Sequence, residues 1–227
     1  MRGSNVTSHG GSLSPRKVWY LPDVTWPHPF LDIFLHVVPL EVRSVLDIGC
    51  GRGIVGALIR IYREPERIIG VDAFEPYISF CRETGQYTDL LNLDVRKTSL
   101  PFNEGEFDLA TALEVIEHLP RADGVRLLDE LERVSKMVVV STPNRYFRQS
   151  SYDDNPFQQH LSRWTVRDFV RRGYSVYGAG GFLFFGRELG LLSYALSRIT
   201  IPLPHLSGTI LCAYSRKSQL ERVTSPK

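Results

Sequence analysis

The sequence predicts an α/β fold in which helices cover both faces of a doubly wound, mostly parallel sheet. From about residue 44 onward, short apolar segments typical of strands alternate with longer segments typical of helices. Each strand candidate is a continuous apolar run, which is the pattern of strands that are buried on both faces. The 227 residues, 43% apolar and 23% charged, fit one such domain and exclude a fibrous or wholly disordered chain.

Five strand candidates and three helix candidates alternate before residue 145. The strands are SVLDI (44–48), RIIGVD (67–72), LLNLD (90–94), FDLATAL (107–113) and MVVVS (137–141). The helices are predicted over 54–62, 75–84 and 122–134. Later segments predict a helix over 166–172 and two strands, 174–178 and 208–214, that join the sheet as a hairpin.

Composition predicts where the domain begins and ends. We expect a Gly/Ser-rich flexible tail over 1–17, a single domain over 18–216 and a second tail over 217–227. We expect the domain to consist of an N-terminal helical segment (18–43), a cofactor-binding core (44–144) and a last part (145–216). The last part completes the sheet and forms the side on which a second substrate, the acceptor, would bind. In the N-terminal helical segment, Trp19, Tyr20 and Trp26 form either a lid or a small core. An apolar insertion, with Leu189, Leu192 and Leu196, precedes the last strand.

Charge and cysteine content narrow the function classes. The net charge of +2 comes from basic ends flanking an acidic body, so we expect no nucleic-acid partner. Three scattered cysteines and the absence of a ligand motif predict no disulfide framework and no metal, in a cytoplasmic protein. No run is long and apolar enough to span a membrane, whereas weak membrane-surface contact stays open. The sequence contains no pattern that indicates an oligomeric state.

The turn after the first strand is the strongest candidate for a ligand site. It reads Asp47-Ile48-Gly49-Cys50-Gly51-Arg52-Gly53, and its glycines let the backbone bend sharply and approach a ligand. Sheets of this kind bind ligands at the carboxyl ends of their strands, where the strand order reverses. Asp72 ends the second strand and can accept ribose hydroxyls, while Asp94 and the N–H of Val95 can bind an adenine edge.

Two cofactors are compatible with this layout. Gly51, Gly53 and Gly56 satisfy the dinucleotide fingerprint, and Asp72 follows at the expected distance, so an NAD-dependent oxidoreductase is one candidate. Asp47, however, is poorly suited to a pyrophosphate and well suited to organising a cationic ligand. S-adenosylmethionine, with its ammonium and sulfonium groups, is such a ligand.

Five segments in register resemble the class I S-adenosylmethionine-dependent methyltransferases. These are VLDIGCGRG, GVDAFEPYI, LNLDVRKTSLPF, FDLATALEVIEHLP and VVVSTPN, and the similarity is close over 44–144 and looser over 145–216. It implies a Rossmann-like, seven-stranded sheet whose last strand is antiparallel, with the glycines under the methionine part. The resulting set of cofactor-binding candidates is Asp47, Gly49, Cys50, Gly51, Gly53, Asp72, Ala73, Asp94, Val95, Leu113, Glu114 and Ile116.

Two histidines are the candidate catalytic groups, since an imidazole titrates near neutrality. His160 lies in NPFQQHLSRWT, which resembles a His-bearing loop of some family members, and His118 follows the fourth strand. A structural role is the alternative for both. The sequence thus predicts methyl transfer from S-adenosylmethionine to a small-molecule acceptor with an O or N nucleophile, for which the apolar insertion favours a lipophilic compound. An oxidoreductase and a non-catalytic cofactor-binding interaction module remain the alternatives.

Overall fold

The predicted alternation of strands and helices is present in the computed structural model, which describes residues 30–145, 149, 154–184, 187–188 and 197–216. The strands are β1 Ser44–Ile48, β2 Arg67–Asp72, β3 Asp89–Asn92, β4 Phe107–Leu113, β5 Ser135–Pro143, β6 Ser175–Phe184, β7 Arg187–Glu188 and β8 Ser207–Ser215. The helices are α1 Phe30–Val37, α2 Ile54–Arg63, α3 Glu75–Thr84, α4 Arg121–Val134, α5 Val166–Arg171 and α6 Ser197–Thr200. The last predicted hairpin strands are longer than expected.

The strands form one sheet in the order β3-β2-β1-β4-β5-β8-β6-β7. The first five pair in parallel, and β8 inserts antiparallel between β5 and β6. The predicted fold class is therefore confirmed: seven principal strands with an antiparallel last strand, to which the two-residue β7 adds an edge. The chain moves outward from β1 to β3 and then returns to β4 on the other side of β1, so the strand order reverses between β1 and β4.

Alternate residues of the strands supply two apolar clusters, one on each face of the sheet. Leu46 and Ile48 belong to the cluster that packs under α4 and α5, whereas Val45 belongs to the cluster under α1, α2 and α3. Because both faces are covered, the central strands are mostly apolar, as their sequences predict. This burial fixes the strand ends, and with them the turns that follow each strand.

Some predicted features lie outside the described residues. These are the tails, Trp19, Tyr20 and Trp26 of the N-terminal segment, and Leu189, Leu192 and Leu196 of the apolar insertion. None of the helices in the described ranges has the length and apolar character that crossing a bilayer requires.

Candidate functional site

A cavity opens at the carboxyl ends of the parallel strands, beside the point where the strand order reverses. The empty space in it, part of which is open to solvent, is about 640 Å³. It is lined by Ile48, Gly49, Gly51, Val71, Asp72, Ala73, Tyr77, Leu93, Asp94, Val95, Arg96, Glu114, Val115, His118, Leu119, Asn155, Phe157 and Gln158. The ends of four strands and the segment before α5 therefore meet in one place.

The glycine turn forms the floor of this cavity in a backbone conformation that favours glycine. The φ angles of Gly49, Gly51 and Gly53 are +67°, +52° and +83°. The amides of Gly49 and Cys50 both donate to the carbonyl of Val71, at 2.7 and 3.0 Å, which ties the turn to β2. Glycine is required at position 49 for a second reason, because a Cβ there would lie 2.3 Å from a methyl carbon of Val115.

Asp47 is buried beneath the turn and is only 1% exposed. Its two carboxylate oxygens accept hydrogen bonds from the Tyr87 hydroxyl at 2.6 Å and the Thr111 hydroxyl at 2.7 Å. Burial raises the pKa of Asp47 to about 6, and the two hydroxyl bonds oppose the rise. The Tyr87 ring reaches Asp47 because Gly56 and Gly70 lack side chains, since a Cβ at either would lie within 3 Å of the ring.

Asp72 connects the glycine turn to the turn that follows β2. One carboxylate oxygen accepts from the Gly51 amide at 2.9 Å and the other from the Phe74 amide at 2.8 Å. Burial raises the pKa of this carboxyl, although the amide bonds favour its ionised form. Each oxygen keeps a lone pair that can accept a ligand hydroxyl.

Asp94 is paired with Arg96, which was not among the predicted site residues. Arg96 forms a bidentate contact with both carboxylate oxygens, at 2.8 and 2.7 Å, and this bond lowers the pKa of Asp94. The same guanidinium lies over the Phe157 ring, 4.7 Å from its centroid. Arg96 and Phe157 thus form a wall of the cavity next to the predicted adenine site.

Glu114 stands at the end of β4 in a strained conformation. Its φ is +54°, unusual for a residue with a side chain. Ser141 at the end of β5 holds it there: the Glu114 amide donates to the Ser141 carbonyl at 3.1 Å, and the Ser141 hydroxyl donates to the Glu114 carboxylate at 2.8 Å. Burial raises the pKa of Glu114 to about 7. Strain that the surroundings hold in place is typical of functional sites.

The two predicted catalytic histidines lie side by side, although 42 positions separate them. Their ring centroids are 4.9 Å apart, and His118 lines the cavity while His160 is buried. The segment that carries His160 is held to the turn that carries His118, because the amides of Leu161 and Ser162 donate to the Glu117 carbonyl at 2.7 and 3.0 Å. Burial is the main reason why the pKa of His118 falls below its usual value.

Trp164 also holds in place the segment that carries His160. Its indole N–H donates to the Ile116 carbonyl at 3.2 Å, and the Arg121 guanidinium stacks 3.7 Å from the ring centroid. The ring packs on α4 where Gly124 leaves room, since a Cβ there would lie 2.5 Å from it. The pairing of His118 with His160 therefore depends on backbone and indole contacts made outside the cavity.

Glu117 completes a group of three potential metal ligands with His118 and His160. One ligand atom from each residue lies within 4.8 Å of the others. The Glu117 carboxylate is buried, and its Oε2 atom has no hydrogen-bond partner among the described residues. Burial, and then repulsion from Glu114, raises the pKa of Glu117 well above its usual value. The sequence predicted no metal, and that stays a prediction, but the structure brings His160 to Glu117 and His118, which lie more than 40 positions earlier.

The structure separates the predicted cofactor residues into two groups. Seven line the cavity: Gly49, Gly51, Asp72, Ala73, Asp94, Val95 and Glu114. Five do not: Asp47, Cys50, Gly53, Leu113 and Ile116. Among these five, Asp47 has its oxygens bound within the protein, and Cys50, Leu113 and Ile116 pack in the apolar clusters. They support the cavity from behind.

Sequence reasoning did not select several residues that complete the cavity wall. Tyr77 lies on α3, and Asn155, Phe157 and Gln158 come from the segment before α5. A usable signal existed for the last three, because their segment also carries the predicted His160. Nothing comparable in the sequence indicates Tyr77.

Comparison with known proteins identifies the central part of the chain. Residues 46–137, which contain the glycine turn and the ends of β1 to β4, match the family model described as a methyltransferase domain. Over these residues the chain is similar to this family of methyltransferase domains. The resemblance found in the sequence is confirmed, and S-adenosylmethionine is the cofactor that this family implies.

Curated relatives match only part of this chain. The ubiquinone biosynthesis O-methyltransferase of Aromatoleum aromaticum is 32% identical over 114 residues, which cover 48% of this chain and 47% of that protein. The enzyme of the same name from Dechloromonas aromatica is 29% identical over 120 residues, covering 51% and 50%. The chain thus spans about half the length of the curated relatives it matches.

Solved structures support the fold across a longer stretch. A SAM-dependent methyltransferase from Archaeoglobus fulgidus superposes with a TM-score of 0.55 at 17% identity, covering 82% of this chain and 91% of that one. An S-adenosylmethionine-dependent methyltransferase from Mesorhizobium loti gives 0.52 at 16% identity, covering 83% and 98%. At these identities the similarity concerns the fold.

The cavity of this methyltransferase domain fits the cofactor that its family implies. Gly51 lines the cavity, and a Cβ on it would meet no atom nearer than the Gly49 carbonyl oxygen at 3.9 Å, so the space before it is free for a ligand. Asp72 offers lone pairs beside it for hydroxyl groups. Glu114 supplies an acidic group on the opposite wall, where a cationic centre is favoured.

Replacing Asp47 by Asn tests the buried carboxyl. Because burial raises its pKa from 3.8 to about 6, the folded state holds the proton more tightly, and the free energy of unfolding falls as pH rises through that interval. The uncharged amide can accept from one hydroxyl through its oxygen and donate to the other through its NH2 group, so that one of the two hydroxyls turns to accept. We expect Asp47→Asn to gain stability over the wild type from pH 4 to pH 7, by roughly 3 kcal/mol at most. Urea unfolding at each pH measures the difference. A difference that does not change with pH would contradict this account.

Alanine at Gly49 tests the contact between the glycine turn and β4, with Gly85→Ala as the control. The two glycines have φ angles of +67° and +71°, so both substitutions carry the same backbone strain. Only Gly49→Ala adds an overlap with Val115, since no atom lies within 4 Å of a Cβ at position 85. We expect Gly49→Ala to cost about 1–3 kcal/mol more in urea unfolding. Equal losses would show that the close contact has no energetic weight.

Proposed function

We propose that this chain transfers the methyl group of S-adenosylmethionine to a hydroxyl oxygen of a small molecule. With the cofactor bound, the acceptor oxygen would form a bond to the methyl carbon as the carbon–sulfur bond breaks. The electron pair of the carbon–sulfur bond would go to sulfur, and the hydroxyl proton would be released. The supporting observation is a single cavity that is lined by the glycine turn, Asp72, Glu114 and His118 together. The curated relatives, named as O-methyltransferases, favour oxygen over nitrogen.

The bound cofactor supplies an electrophilic methyl group, and the protein contributes mainly position. Asp72 accepts the ribose hydroxyls while the Gly51 amide holds its carboxylate in place. Arg96 and Phe157 close the adenine side, and His118 lies where the acceptor enters. Holding reacting atoms at near-attack distance can supply ~7–11 kcal/mol of the barrier.

Binding of S-adenosylhomocysteine measured by calorimetry tests the cofactor assignment. We expect micromolar affinity, and a loss of at least roughly tenfold in Asp72→Asn, because an amide replaces one of the oxygens that accept hydroxyls. Asp89→Asn, at an exposed position at the start of β3, is the matched control and should bind as the wild type does. NADH is the competing ligand.

Two outcomes would overturn the proposal. Tight binding of NADH without binding of S-adenosylhomocysteine would assign the site to a dinucleotide oxidoreductase. Cofactor binding with no transfer of labelled methyl groups to a panel of phenols, alcohols and amines would favour the non-catalytic module. Label that enters only the amines would contradict the choice of oxygen.

The role of the two histidines admits a second reading, which one observation favours. As a general base, His118 or His160 would take the acceptor proton, an effect worth about 10²–10⁴-fold in rate. A base does not need the buried Glu117 carboxylate, whose Oε2 atom has no partner. Two imidazoles and one carboxylate are a ligand set for divalent cations such as Mn²⁺. A cation there would offset the buried negative charge and polarise the acceptor hydroxyl.

Manganese titration of the purified protein tests this reading without any need for turnover. We expect saturable Mn²⁺ binding in the wild type, a loss of roughly 100-fold or more in Glu117→Gln and in His160→Asn, and no change in His36→Asn, which alters an exposed histidine on α1. Thermal unfolding of each variant checks that it folds. Equal binding by wild type and variants, or no saturable binding, would exclude the cation and leave the general-base reading.

A further inference from the structure

A second groove, which is basic, is lined by residues that follow β5, precede β8 and begin α5. It encloses about 1250 Å³ and is open to solvent. Its lining is Asn144, Arg145, Arg163, Thr165, Val166, Arg167 and His205. Three arginines and a histidine thus face one space, and this set of lining residues contains no carboxylate.

Both walls of the groove are fixed by contacts that leave the arginine side chains available. On one wall, the Asn144 side chain donates to the carbonyls of Pro204 and Ser207, both at 3.0 Å, which joins the end of β5 to the turn bearing His205. On the other wall, Arg121 donates to the Arg163 carbonyl at 2.8 Å. The backbone positions are therefore set before any ligand arrives.

The start of α5 is fixed in the same way. The Thr165 amide and hydroxyl both donate to the Asp168 carboxylate, at 2.8 and 2.7 Å, and form a capping box. Asp168 is also paired with Arg121 at 2.7 Å. This acidic side chain therefore already has partners and does not neutralise Arg167, its neighbour on α5.

The positive charge of the groove is not balanced within the described part of the chain. Each of Arg145, Arg163 and Arg167 is exposed, and none of them takes part in an ion pair with a described acidic residue. By contrast, Arg96, Arg121, Arg133 and Arg172 on neighbouring elements are all paired with carboxylates. Unpaired arginines that share one cavity favour an anionic ligand.

The groove adjoins the residues that we assign to methyl transfer. Arg163 comes directly after Leu161 and Ser162, whose amides hold His160 beside His118. Asn144 follows β5, the strand that holds Glu114 through Ser141. A molecule whose hydroxyl group reaches His118 can therefore extend toward these arginines.

We propose that this groove binds a phosphate group carried by the methyl acceptor, an inference that rests on the proposed function. Guanidinium groups match the geometry of phosphate oxygens with two parallel hydrogen bonds, and phosphate carries enough negative charge to engage more than one arginine. The acceptor is accordingly a phosphorylated small molecule or an amphiphile with a phosphate headgroup. The first arrangement places the phosphate in water and the second at a membrane surface.

Calorimetric titration with inorganic pyrophosphate at low salt tests the site. We expect saturable binding in the wild type and a loss of at least roughly tenfold in the double variant Arg163→Gln, Arg167→Gln, since each removes a charged donor. Arg171→Gln is the matched control, because Arg171 is an exposed arginine of the same helix that does not line the groove. The control should bind pyrophosphate as the wild type does.

Titration of the same samples with S-adenosylhomocysteine separates this proposal from the proposed function. Two results overturn the groove proposal alone, provided that S-adenosylhomocysteine still binds. One is that the wild type does not bind pyrophosphate, and the other is that the double variant binds pyrophosphate as well as the wild type does. Displacement of S-adenosylhomocysteine by pyrophosphate also overturns it, because the anion would then occupy the glycine turn. Failure of the cofactor to bind, with pyrophosphate binding intact, contradicts the proposed function instead.

Vesicle sedimentation distinguishes the two sources of the phosphate. Binding to vesicles that contain phosphatidic acid but not to phosphatidylcholine vesicles, lost in the double variant, supports a lipid headgroup. Pyrophosphate binding without vesicle binding supports a free phosphorylated molecule. Tight binding to a single-stranded RNA that pyrophosphate does not compete away would overturn the assignment to a phosphorylated small molecule or headgroup.

Discussion

The buried carboxyl of Asp47 is the interaction on which the cofactor edge of this molecule depends. It connects β1, in which Asp47 lies, with Thr111 in β4 and with Tyr87 just before β3. Burying a charge is costly unless it is well paired, so both hydroxyls and the space left by Gly56 and Gly70 are needed together. This network holds the glycine turn above Asp47 in place, and that turn forms the floor of the cavity.

The other half of the site depends on a different kind of contact. Amides of the segment before α5 donate to the Glu117 carbonyl, and the Trp164 indole donates to that of Ile116. These bonds bring His160 to His118 and aim the Glu117 carboxylate at both. In the function that we propose, the first half receives the cofactor and the second the acceptor. Arg163, which lines the basic groove, follows this segment directly in the chain, and we propose that the groove takes part in recognising the acceptor.

The fold was predictable because both faces of the sheet are buried, which leaves continuous apolar strands that can be recognised one at a time. The floor of the site was predictable for a related reason, since Asp72 ends β2, and Gly49 and Asp94 follow β1 and β3 within two residues. What escaped prediction depends on contacts between distant segments. The Arg96–Phe157 wall and the Glu117 group join residues that share no local pattern, and Asp47, expected to organise the ligand, is instead satisfied within the protein.

A crystal structure of the protein with bound S-adenosylhomocysteine would test the central claim most directly. The account predicts ribose hydroxyls on Asp72, the adenine between Asp94 and Phe157, and the sulfur directed toward Glu114 and His118. Asp47 should keep its bonds to Tyr87 and Thr111 and should not touch the ligand. A ligand bound outside this cavity, or an Asp47 that leaves its two hydroxyl partners to contact the ligand, would contradict the account.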